Sequence, residues 1–240
     1  MPGHVFRTSI VRALAIALFF LSPVAARAQA PGPLDAIEPA DLPRLAKLAP
    51  ARWSDVFKMP PTLFNDIKEV IDWEERILKA TSGEDKDLAD LQAREWLLRA
   101  AFHVHAGRPD LPEELGVEIG RRLRERLVKT RVALLRAFPK DDPAAIAAAK
   151  AWLKISGTEP TLQEAAGLSL LDHVRAEWSA GRGLAARLLL EDWESRLPSG
   201  PATKLREEMQ AQAHKLFSDA LADAKSVAKL REALDLWPQL

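Results

Sequence analysis

The chain contains no cysteine and no tyrosine. Without cysteine there is no disulfide, no thiolate metal site, no cysteine nucleophile and no N-terminal cysteine to carry a lipid. Long apolar runs are also missing. The longest, Ala13–Leu21, falls far short of the roughly 20 residues that span a bilayer. The motifs that announce common chemistries are absent as well: no His-Glu-x-x-His, no glycine-rich phosphate loop, no Gly-x-Ser-x-Gly elbow. Alternating strand patterns are lacking, and β-branched residues are few beside Ala and Leu, which favour helix. What these absences leave is a helical chain whose function rests on shape.

The first residues read as an export signal. His4, Arg7 and Arg12 form a basic start, the apolar run follows, and Pro23 breaks it before a stretch of small residues. This is the order of a secretory signal peptide. Two Ala-x-Ala sites are offered, and Pro31 disfavours the second, which places cleavage after Ala28. Loss of residues 1–28 removes three of the 34 cations and no acid, leaving 31 against 34 acids. The mature chain is slightly acidic, so no net field draws it to nucleic acid. The expected location is periplasmic or secreted, in a bacterium.

Residues 29–62 are proline-rich, a composition that forbids a long helix. They are expected to hold one short helix at 42–48 and to lie on the domain through Leu45, Leu48, Trp53 and Phe57, with a disordered linker as the alternative. Residues 63–240 then repeat one pattern: an amphipathic helix, a Gly or Pro stop and a restart within a few residues. Thr62, Asp87, Asp142 and a capping box at Thr161–Glu164 mark helix starts. Gly107, Pro139, Gly157, Gly181 and Pro198 mark ends. The expected fold is all-α: antiparallel helical hairpins forming a short α-solenoid or an irregular bundle.

Two internal echoes support repetition. Asp72-Trp-Glu-Glu-Arg-Ile77 matches Asp192-Trp-Glu-Ser-Arg-Leu197, and Ala93-Arg-Glu-Trp-Leu97 matches Ala149-Lys-Ala-Trp-Leu153. Near the end, Leu230, Ala233 and Pro238 fall at the spacing of the second helix of a tetratricopeptide repeat. The last thirty-odd residues therefore resemble that family. The preceding helix lacks the family's Gly and Tyr pattern. The resemblance implies a concave surface that binds a peptide or protein, and carries over no binding residue.

The candidate chemical groups are few. His103 and His105 are two apart on a helix and point apart, so no single metal takes both. His173 and Glu177 form an i,i+4 pair. The acids Asp72, Glu74 and Glu75, and Glu191, Asp192 and Glu194, lie beside Arg76 and Arg196 and read as solvated ion pairs. Arg122, Arg126, Lys129 and Arg136 form a ridge on one face of a long helix, opposite no acid but with Glu125 nearby; it suits an anionic partner or a lipid headgroup surface, the plain alternative being a solvated helix face. The tryptophans read mainly as core anchors, with Trp53 and Trp237 the exposed pair. The expectation is an exported, non-catalytic helical-repeat protein binding a protein or peptide, with Arg122, Arg126, Lys129, Arg136, Trp53 and Trp237 as contacts and no metal or cofactor. The alternative is the N-terminal helical module of a larger secreted protein, such as a transport-associated solute-binding protein. An enzyme using buried carboxylates ranks third.

Overall fold

A computed structural model describes residues 30–59, 66–83, 87–139, 142–155, 159–222 and 227–238. The signal segment with its cleavage site, Thr62, Gly157 and Leu240 lie outside the described residues. Nine α-helices are found among the described residues, with no strand. They are α1 (Leu42–Ala46), α2 (Ile67–Ala80), α3 (Leu88–Ala106), α4 (Glu113–Ala137), α5 (Pro143–Ile155), α6 (Pro160–Ser179), α7 (Gly183–Trp193), α8 (Ser199–Ala222) and α9 (Val227–Leu236).

Local chemistry sets most boundaries. Asp66, Asp87 and Asp142 accept the amides of Lys68, Ala89 and Ala144 at 2.8, 2.9 and 2.8 Å, relieving amides that the first turn leaves unpaired. Phe138 is extended because Pro139 follows it, and α4 stops there. Helix α6 ends in a Schellman turn: Gly181 takes φ +76°, and the amides of Gly181 and Arg182 donate to Trp178 and Glu177. The box expected at Thr161 does not form. The helix begins at Pro160, whose fixed φ suits the first position, and Glu159 precedes it without capping through its side chain.

The lead-in is packed. Ile37, Leu42, Leu45, Trp53 and Phe57 are buried in a first apolar cluster with α2, α3 and the amino half of α4, whereas Leu48 stays exposed. A second cluster joins Leu91 and the carboxyl half of α4 to α5, α6, α7, α8 and Leu236 of α9. Helix α4 is thus the spine. Ile119, Leu123 and Leu127 serve the first cluster, Val132, Leu134 and Leu135 the second. Helix α3 was expected to bury one side only; instead residues 93–101 are buried all round, enclosed by α1, α2 and α4.

The most extensive pairings are α3 with α4, α5 with α6, α6 with α7 and α8 with α9, whereas α4 meets α5 only lightly. Beyond these pairs α2 touches α4, α4 touches α6, and α6 touches α8, while α7 touches α9. Close approach in the second half needs glycine at α6: a Cβ on Gly167 would overlap the Pro198 ring. Gly167→Ala is expected to lower stability by about 1–3 kcal/mol through overpacking, read as a lower urea midpoint. Gly200→Ala, where a Cβ meets nothing within 4 Å, should leave the midpoint unchanged or raise it. Equal midpoints for the two variants would contradict the tight α6 contact.

Candidate functional site

Most charges on α3 and α4 are committed to holding the fold. The Glu95 carboxylate accepts from Arg99 at 3.1 Å and from Arg131 at 3.1 and 3.2 Å, all three side chains being buried. Arg99 also donates to the Gly32 carbonyl at 2.7 Å, which ties the lead-in down. Arg131 lies over the Trp152 ring, 5.3 Å from its centroid. Burial pulls the Arg99 guanidinium below its usual value while Glu95 pushes it back up. Nearby, buried Asp90 accepts from the Trp53 indole at 2.7 Å and pairs with Arg52, and Arg94 lies over the same ring.

This corrects the expected exposure of Trp53. It is buried because its indole N–H has a carboxylate partner inside the first cluster. Trp237 is half-buried against the second cluster. Neither is a freely exposed anchor.

The four-cation ridge on α4 divides. Arg122 is not opposite a bare face: it grips Glu75 of α2 at 2.5 and 3.2 Å and so struts α2 against α4. Arg126, Lys129 and Arg136 instead line a cleft of about 690 Å³. Its other wall is the turn that follows α2, Thr81–Gly83, with Leu91 and Arg94 from α3. Arg126 reaches the Ser82 carbonyl at 3.4 Å. Lys129 and Arg136 are exposed and have no ionic or hydrogen-bonding partner among the described residues. A second cleft of about 580 Å³ opens on the other side of Lys129, Ala133 and Arg136. Val128 and Val132 floor it, and Glu159 and Thr161 at the start of α6 face it. Arg124 approaches Glu159 to 3.8 Å across it.

The two clefts lie either side of Lys129, Ala133 and Arg136 and together make a grooved surface along α4, walled by Thr81–Gly83 and α3 on one side and by the start of α6 on the other, with cations at its rim. Both volumes lie in the range of small-ligand sites. Arg126, Lys129 and Arg136 were legible in sequence as one helix face. The wall from the turn after α2 and from α3 was not, because it comes from residues some forty positions away and no spacing rule joins them.

The acid clusters resolve differently from the solvated pairs expected. Arg76 turns to the Lys58 carbonyl and Arg196 to the Leu153 carbonyl. Glu194 pairs with Arg206 of α8. Glu74 is fully buried, facing His105 of α3. His105 Nδ1 lies 3.2 and 3.3 Å from the two carboxylate oxygens, and Nε2 lies 2.8 Å from the Gly116 carbonyl. A carbonyl only accepts, so Nε2 carries a proton. One further proton then joins Nδ1 to Glu74, held by whichever is the stronger base. Gly120 makes room: a Cβ there would fall 2.9 Å from Nε2. Neither Glu74 nor His105 lines either of the two clefts. His173 keeps its expected partner, Glu177, at 3.7 Å, and Arg182 holds that carboxylate below its ordinary value. Among the described residues no group of three or more His, Asp or Glu is arranged to hold a metal ion.

No protein-family model matches the chain, nor does any curated protein or solved structure.

Burial raises the Glu74 pKa above its ordinary 4.5, with His105 and Arg108 opposing and Glu75 adding to the rise. The native state therefore binds this proton more tightly than the unfolded chain does. The stability it contributes is complete below pH 4.5 and is lost as pH climbs through the native value. Glu74→Gln keeps the shape and a hydrogen bond to Nδ1 but cannot ionise. Urea unfolding at a series of pH values from 4.5 upward should show a flatter pH dependence in the variant. An unchanged slope would mean that another group governs it.

Proposed function

We propose that this chain is an exported, non-catalytic protein of stacked helical hairpins that binds a peptide or protein segment in the groove along α4. The observation carrying the reading is that exposed cations and apolar side chains of α4 line two adjoining clefts, one walled by the turn after α2 together with α3, the other by the start of α6. The groove also has what recognition of an extended segment needs: apolar floor for area, polar rim for orientation, and walls held by internal ion pairs.

The groove reading is tested by site-specific cross-linking. A photoreactive residue at exposed Thr161, on the groove, is compared with one at exposed Lys215 of α8, against a random peptide library. Enrichment of peptides joined at position 161 and not at 215 supports the reading. Equal labelling at both positions overturns it.

The basic start, apolar run and Ala-x-Ala sites within residues 1–30 support the export half of the reading. Expressed in a bacterium, the exported chain should begin at Gln29 on N-terminal sequencing. A chain that begins at Met1 would remove the export half of the proposal.

A further inference from the structure

The rim of the groove carries more information than its existence. On α4, Arg126, Lys129 and Arg136 span about 15 Å along the axis, at about 1.5 Å per residue. Lys129 and Arg136 are about two turns, roughly 10 Å, apart. A single small anion cannot be gripped by cations spread over that length. Several separate anions strung along a chain can. An extended peptide advances about 3.3 Å per residue, so acids three positions apart would meet Lys129 and Arg136 in turn. Between the two cations lies Ala133, with Leu91 on one side and Val128 and Val132 on the other. Apolar side chains placed between the acids would rest there.

The same pattern argues against two other anionic occupants. A nucleic-acid backbone needs a longer track of one sign, whereas Glu125 and Glu159 interrupt the second cleft. An anionic lipid surface would also press against Glu125, exposed one turn before Lys129 and lining the same cleft. The cations are also available. Lys129 and Arg136 have no partner among the described residues, while Arg121 is taken by Glu118 and Glu125, and Arg122 by Glu75.

We propose that the groove is specific for an extended acidic peptide, with carboxylates about three residues apart engaging Lys129 and Arg136 and apolar residues between them lying over Ala133. This rests on the groove reading above and names the chemistry of its partner.

The test is fluorescence anisotropy on the whole chain with a labelled peptide of repeating Glu-Leu-Ala, and with the same peptide carrying Gln for every Glu. Glu84 and Asp85 follow Gly83 in sequence and are retained, so an acidic stretch of the chain that filled the cleft would register as no binding. The acidic peptide should bind about tenfold or more tightly than its Gln counterpart, as expected for losing charge-assisted hydrogen bonds. Lys129→Glu with Arg136→Glu should abolish that preference, and Lys129→Ala with Arg136→Ala should weaken it. All four are surface changes, so retention of the helical circular dichroism confirms folding. Lys215→Glu should leave the affinity within about twofold. Equal binding of the two peptides, an unaffected reversal variant, or competition by inorganic phosphate or anionic phospholipid vesicles as strong as that of unlabelled acidic peptide each overturns the proposal. If the Gln peptide binds equally well and cross-links at position 161, the groove reading survives and only this inference falls. If neither peptide cross-links there, both fall.

Discussion

One carboxylate organises the molecule. Glu95 sits between the guanidinium groups of Arg99 and Arg131, where the first apolar cluster gives way to the second. Along α4 the change falls between Leu127 and Val132, and the residues there are Thr130 and Arg131, both buried. Apolar packing is non-directional and would let α4 slide against α3. An ion pair with fixed donors does not. Its desolvation costs several kcal/mol per ion, so its net stabilisation is modest, about zero against well-packed apolar residues. Removing the carboxylate alone would be far worse, because two buried guanidinium groups would lose their counter-charge. The constraint it supplies is registry: lead-in through Gly32, α3, α4 and, through Trp152, α5.

That registry explains why the ridge on α4 faces outward where it does. With Arg131 turned inward, residues nearly half a turn round the helix from it face out. Lys129 and Arg136, two and five positions away, are such residues, and Ala133 lies between them. The inward side of α4 is taken up by both clusters, so its outward strip lies over the junction between them. Leu127 to Val132 is also where the two halves of the molecule would hinge if the ion pair were weak.

How far the sequence made this legible depends on the range of the interaction. Caps act within three residues, and Asp87, Asp142, Gly107 and Pro139 mark their boundaries correctly. Amphipathic spacing also acts within one helix, and it places Ile119, Leu123, Leu127 and Leu134 in the core. Failures came where a side chain finds its partner far along the chain. Trp53 reads as exposed near an end, yet meets Asp90. Glu74 reads as solvated beside Arg76, yet meets His105 on the next helix. Helix α3 shows a one-sided pattern only if Glu95, Arg94 and Arg99 are taken as solvated; paired in the interior, they leave no outer face. Charged residues in the middle of α3 were therefore a signal of burial read as its opposite.

The internal echoes separate in the same way. Ala93–Leu97 and Ala149–Leu153 fall on α3 and α5, and both place a buried tryptophan, Trp96 and Trp152. Asp72–Ile77 and Asp192–Leu197 fall on α2 and across the end of α7, with Trp73 buried and Trp193 only half-buried. The first echo places its tryptophan alike in both copies and the second does not. Trp152 earns its position by lying under Arg131, while Trp96 belongs to the first cluster. Like positions therefore serve different neighbours. Stacking needs each hairpin only to bury the next; it does not need the buried residues to do the same thing twice, and here the hairpin that carries the groove has put its cations to two uses, some inward to hold the helices in register and the rest outward along the rim.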